Sequence, residues 1–392
     1  MDTGEDSAEV RTRLNGACSR KGRTGSCQGC REEPESRNGL NRGHDGGEAV
    51  STIENPLALQ LANWITSVQT ENLPQAVLDS AKIAFADWIA CVLLGSASPE
   101  ASSVYHGSAV LGKGEDSSLI VYGGKTTAYI AALVHGTMAH SLDFDDTLLD
   151  CAIHTGASVC SAAFAAAERE GASGSRLLEG IVVGYELAGR VGKASNRVPA
   201  RGASSRGFHP TGICGVFATS AAVSRIMNVD AITTANGLGI AGSLASGIRE
   251  YSTAGSMTKR IHPALAASHG ILCAELARRG LTGPLSVFEG PNGFLRAYSE
   301  SPEVHYLTTG LGDDFEITKR SAKYYPCCHI NHTAIDILLD LHREGLRAED
   351  VEKIEVFLAP AGFQIVAHPM DEKRVPETPL SSVSAKIQPS AA

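Results

Sequence analysis

Apolar positions recur at helical spacing as soon as the chain passes residue 55. Leu57, Leu61, Trp64, Ile65 and Val68 fall on one face of a 3.6-residue period. Asn55-Pro56 ahead of them supplies an N-cap and a proline suited to the first helical position. A second helix follows Leu73-Pro74, with Val77, Ile83, Trp88 and Val92 as its apolar positions and Gly95 just past its last turn. Ser118 to Tyr122 reads as a short strand or an extended connection. From Thr126 to about Glu300 the pattern is almost wholly helix and turn. Segments such as AALVHGTMAH, SVCSAAFAAAERE and LLEGIVVGYELAGRVG are rich in Ala and Gly, which lets helix axes approach closely.

The texture changes after about residue 305. A helix with Ile335, Leu338 and Leu339 on one face is followed by VEKIEVFLAP, where Ile354, Val356 and Leu358 alternate at the period of a strand. The pattern predicts a mainly α chain: a helical domain over residues 51–305 and a smaller α/β domain over 306–392. Residues 1–50 are rich in Gly, Arg, Glu and Ser and poor in large apolar side chains, so a disordered extension is expected there.

Composition narrows the function. Of 392 residues, 43% are hydrophobic and 20% charged, as in soluble globular proteins. A formal net charge of -9 argues against nucleic acid and against an anionic membrane surface as partner. No run of 18 apolar residues predicts a membrane span, and the N-terminus has no apolar region of a secretory signal. The ten cysteines then read as reduced thiols, and the expected compartment is the cytoplasm or the mitochondrion.

The stretch HSLDFDDTLLDCAIH, residues 140–154, packs Asp143, Asp145, Asp146 and Asp150 between two histidines and lies among apolar segments. Such charge costs free energy to bury unless it is paired or used, so this turn reads as the floor of an active site. DFDDT fits the D-x-D-x-T pattern of aspartyl-phosphate phosphatases, but it follows helical text rather than a strand. Gly237 to Gly242 fits G-x-G-x-x-G without a βαβ context and reads as close helix packing. Ser256 to Lys259 fits S-x-x-K without the accompanying motifs of penicillin-recognising enzymes. Lys259 stands with Arg260 and His262 after a Gly/Ser turn. His209 stands at a helix start, where an imidazole and free backbone N–H groups can face an anion. Cys27 and Cys30, with Cys18 and His44 nearby, and the set Cys327, Cys328, His329 and His332 lack convincing metal-ligand spacing, so no metal is expected.

Five blocks in order resemble the MmgE/PrpD family, which includes cis-aconitate decarboxylase and 2-methylcitrate dehydratase. They are LDSAKIAFADWIACVLLG, GTMAHSLDFDDT followed by HTGASV, GFHPTGICGVF, SMTKRIHPALAASHG and KYYPCCHINHTAID. The resemblance implies an all-helical domain with an α/β lid, a homodimer and a lyase without a cofactor, acting on a small tricarboxylic acid. It points to Asp143, Thr147, His154, His209, Lys259 and His332, with His329 as a substitute for His332. Lys259, Thr147 and His154 would bind carboxylates. His209 and His332 would bind or move the proton, and Asp143 would orient an imidazole or hold it protonated. The dehydratase branch looks to have D-F-N-D-T where this chain has D-F-D-D-T, which leans towards decarboxylation. Dehydration and a non-catalytic, dimerising relative are the alternatives. Members of the family continue with a segment resembling A-K-F-S-L-P-Y where this chain reads SAKIQPSAA, so the lid is expected to be incomplete.

Overall fold

Two small residues set a close helix crossing near the aspartate-rich turn. In the computed structural model, α4 (Ala128–His140) and α10 (His262–Arg278) approach until a Cβ on Gly136 would lie 2.6 Å from the Ala264 Cα. Only glycine allows that contact. Residues 54–198 and 200–367 are described; the extension expected over 1–50 and the end of the expected lid, from 368, lie outside them.

The described chain is mainly α. Helix α1 spans Leu57–Ser67, α2 Gln75–Gly95 and α3 Pro99–Ser108. A two-residue antiparallel pair, β1 (Ser117–Ser118) and β2 (Lys125–Thr126), precedes α4. Then come α5 (Gly156–Glu170), α6 (Gly174–Asn196), α7 (Pro210–Met227), α8 (Ala231–Leu244) and the short α9 (Tyr251–Ala254). After α10 follow α11 (Phe294–Tyr298), α12 (His332–Arg343) and α13 (Pro360–Val366).

Helix α7 is the axis of the packing. Every residue from Pro210 to Ile226 is buried, and α5, α6, α8 and α10 lie against it. A helix apolar all round belongs in the centre of a bundle. Thr127 caps α4 by accepting from the Ile130 N–H, which fixes where the helix starts and, thirteen residues on, where His140 stands.

Buried charge ties the later chain to this body. On α6, Arg190 bonds Glu186 at 2.6 Å and donates to the carbonyls of Tyr306 and Thr309 at 3.1 and 2.8 Å. Lys193 reaches Glu316 at 2.6 Å, and the Glu316 N–H donates to Glu186. These contacts lay residues 304–319 along α6. They lead into a two-way backbone pairing of Thr147 with Ser321, 3.0 and 2.9 Å.

Several local expectations change. Gly95 is the last residue of α2 rather than the residue beyond it, because it faces α4: a Cβ there would overlap the Met138 carbonyl oxygen. Ile83 is exposed whereas Val77, Trp88 and Val92 are buried; six residues from Val77 is not a same-face spacing. The G-x-G-x-x-G run lies inside α8, facing Gly283 and Val287, as helix packing requires. The alternation at Ile354, Val356 and Leu358 forms no strand, since no described segment pairs with it, and Phe357 is 91% exposed. Helix α12 is amphipathic, yet none of its residues is buried; Ile337, Leu338, Leu339 and Leu341 are exposed. No helix among the described residues is long and apolar enough to cross a membrane.

Candidate active site

The loop from Ser141 to Thr155 joins α4 to α5 and carries the carboxylates. Asp143 adopts a left-handed backbone, φ 52°, which its short polar side chain tolerates better than most. That turn buries Asp143, Asp145 and Asp146 together.

Each buried carboxylate has its own partners. Asp143 Oδ2 accepts from Lys259 Nζ at 2.9 Å, and Oδ1 from Lys323 Nζ at 2.7 Å. Lys323 also donates to the Asp143 carbonyl at 2.6 Å. Burial alone would raise the Asp143 carboxyl, but Lys259 and Lys323 hold it well below the usual range. Asp145 Oδ2 lies 2.8 Å from His140 Nδ1, and burial there is outweighed by His140 and His154, which keep this carboxyl low too. Asp146 accepts from the Gly156 N–H at 2.9 Å and the Tyr185 hydroxyl at 2.6 Å. Burial nonetheless pushes it up to about 6.

Four imidazoles surround these acids. His154 Nε2 is 3.7 Å from Asp143 Oδ1, and its Nδ1 is 3.4 Å from Thr147 Oγ1 and 3.6 Å from Asp145 Oδ2. Its backbone N–H donates to Thr211 Oγ1 in the first turn of α7. The rings of His140 and His154 are 4.9 Å apart, and those of His140 and His209 are 6.2 Å apart. His209, the residue before α7, places its Nδ1 3.0 Å from Nδ1 of His262, the first residue of α10. Tyr251 stands against both, at 5.4 and 5.6 Å between rings. Burial lowers His140, His154 and His209, and takes His262 to about 4. Neutral imidazoles beside fixed ammonium groups can receive protons once an anionic ligand arrives.

Of the residues singled out in the sequence, Asp143, Thr147, His154 and Lys259 meet directly, and His209 joins them by way of His140. His332 connects through His329, ring to ring at 4.7 Å, and its buried Nε2 has no hydrogen-bond partner. His329 Nε2 is 3.2 Å from Ser321 Oγ, and burial lowers it to about 4. The sequence reading gave no site role to Lys323, His140, Tyr251 or His262. Lys323 opens the block KYYPCCHINHTAID, and a lone cation in an aromatic, cysteine-rich stretch is the signal that marks it. A cavity of about 480 Å³, walled by Tyr251, Thr258, Ile261, His262 and Leu265 among others, opens beside the cluster.

His140, Asp145 and His154 hold ligand atoms within 4.8 Å of one another, a spacing that a metal ion would fit. Lys259 and Lys323 next to them favour an anion over a cation. The phosphatase reading of DFDDT also fails here: the loop follows a helix, and both Asp143 oxygens are already engaged by ammonium groups.

Comparison with known proteins identifies relatives of the chain. The family model described as MmgE/PrpD N-terminal domain matches residues 59–307. The chain is 28% identical over 354 residues to the cis-aconitate decarboxylase-like protein oryM of Aspergillus oryzae, covering 86% of this chain and 72% of that one. It is 26% identical over 307 residues to cis-aconitate decarboxylase of Aspergillus terreus, covering 75% of this chain and 62% of that protein. It is 35% identical over 182 residues to the Homo sapiens cis-aconitate decarboxylase, covering 44% and 36%.

Proposed function

The chain belongs to the MmgE/PrpD family, and from that premise we propose that it is a lyase converting cis-aconitate to itaconate and CO2. The observation that carries this reading is the clamp of Lys259 and Lys323 on one buried aspartate, ringed by imidazoles. A site for a tricarboxylate needs converging cations and hydrogen-bond donors, and the reaction needs a proton delivered to carbon.

In this reading Lys259, Thr147 and His154 hold two carboxylates. The bond from the allylic methylene carbon to the third carboxylate breaks and CO2 leaves. The electron pair forms the new methylene double bond, and the former vinylic carbon takes a proton. His209, backed by His262, or His332 supplies it. A bound trianion raises the affinity of these imidazoles for protons, so the donor is charged by the substrate itself. No cofactor takes part. The helical domain over 51–305 carries the acids, and the segment from 306 serves as a lid that brings Lys323 and His332. A homodimer is part of the same proposal.

The test is turnover. Purified protein is incubated with cis-aconitate and, separately, with 2-methylcitrate. Itaconate from the first supports decarboxylation. 2-Methylaconitate from the second supports a dehydratase instead, and no product from either, with a folded protein, removes the lyase reading.

A further inference from the structure

The geometry points to Asp145 and His140 as a positioning pair that places the His154 ring proton on Nδ1 and reserves Nε2 for exchange with the substrate. The inference deepens the proposed lyase site and rests on that reading for its kinetic part only.

His140 cannot touch a substrate. Its side chain is wholly buried, and its Nδ1 bonds Asp145 Oδ2 at 2.8 Å. Asp145 is 3% exposed and donates nothing, so that hydrogen bond requires the proton on His140 Nδ1. His154 is 14% exposed and is the member of the three that a ligand can reach. The same Asp145 Oδ2 faces His154 Nδ1 at 3.6 Å, longer than a hydrogen bond but short enough to tighten on binding.

Two carboxylates therefore compete for the His154 proton, one at each ring nitrogen. Asp143, on the Nε2 side, has both oxygens and its carbonyl engaged by two ammonium groups. Asp145, on the Nδ1 side, is bonded only to the neutral His140, and its Oδ1 is buried without a partner. Its negative charge is the less compensated of the two, so the proton goes to Nδ1. Thr147 Oγ1 at 3.4 Å can accept from the same position. Of the other charged or titratable groups felt by His154, Lys323 and His140 both oppose a second proton. When a polyanion adds its charge, the extra proton arrives at Nε2, where it can be held against a carboxylate or passed on. The pair thus decides which edge of the ring does the chemistry, as an aspartate behind a histidine does in other enzymes.

Histidine-15N NMR tests this, with the His154 signals assigned by their loss in His154→Gln. Wild-type protein should show the Nδ1–H tautomer at neutral pH. Asp145→Asn, which keeps the shape and removes the charge, should shift His154 towards Nε2–H. In the turnover assay the same variant should lose ~100-fold or more in kcat/KM, because the His154 ring that holds a substrate carboxylate then carries its proton on the wrong edge. An Nε2–H ring in wild type overturns the inference, whether or not Asp145→Asn folds and whether or not any acid is consumed. An unchanged tautomer in the folded variant overturns it as well. A tautomer that shifts as expected in a protein that consumes neither acid upholds the pairing and removes the lyase reading.

Discussion

Lys323 holds Asp143 at two points, bonding Oδ1 at 2.7 Å and the backbone carbonyl at 2.6 Å, with its side chain fully buried. Lys259 holds the remaining oxygen but is partly open, at 17%. Two lysines on one carboxylate therefore differ in setting: Lys323 ties the loop from within, and Lys259 remains partly open to solvent. Lys323→Ala leaves Asp143 Oδ1 and the Asp143 carbonyl buried without this donor and should cost about 3–5 kcal/mol of stability. Lys259→Ala should lower the melting temperature less and raise the KM for cis-aconitate at least ~10-fold, the loss of a charge-assisted contact. Thermal melts and steady-state kinetics on both variants check the division; an unchanged KM in Lys259→Ala counts against its binding role.

Thr147 offers a cleaner probe, because its backbone and side chain have separate duties. Thr147→Val keeps the shape and both backbone bonds to Ser321 while removing Oγ1. Stability should change by less than about 1 kcal/mol, and KM should rise several-fold. A large drop in the urea midpoint would place the hydroxyl in the folding of the loop instead.

Acid should destabilise the protein as pH falls below 7. Burial lowers His135, His262 and His329 from 6.5 to about 4. In that interval the unfolded chain binds protons that the folded chain refuses. Stability is therefore complete above 6.5 and declines as pH falls towards 4. Asp146 works in the opposite direction. Its carboxyl, raised from 3.8 to about 6, favours the folded state at low pH, a contribution lost as pH rises through 6. Asp87 and Glu186, also raised by burial, act as Asp146 does, and His140, His154 and His209, also lowered by burial, act with the three histidines. The histidines outnumber the carboxyls, so the urea midpoint should fall between pH 7 and pH 5, and a flat or rising midpoint contradicts the assignment.

Glycines separate into those that packing needs and those it does not. Gly136→Ala should cost about 1–3 kcal/mol, because the new methyl meets the Ala264 backbone between α4 and α10. Gly107, inside α3, has nothing within 4 Å of its would-be Cβ, and Gly107→Ala should gain about 0.5–1 kcal/mol. Paired denaturation curves read both signs at once.

The helical bundle was legible because Ala- and Gly-rich segments with helical spacing have few other ways to bury themselves. The acidic turn was legible too, since so much charge in an apolar setting must have partners. Which partners was harder. Lys323 and Asp143 are 180 residues apart, and although a lone cation in KYYPCC marks the position, nothing local names Asp143 as its partner. The link between His140 and Asp145 depends on the left-handed turn at Asp143, a property of the folded loop rather than of residue spacing. The alternation at 354–358 misled for a related reason: period two records which side chains share a face, not whether another segment is there to bond the backbone.

Thr147 and Ser321 are joined through main-chain atoms alone. A seam of that kind is indifferent to which side chains flank it. Positions 147 and 321 can therefore be exchanged in evolution or in the laboratory without unstitching the strap that delivers Lys323. The side chains of this loop can be redesigned while its anchorage stays in place.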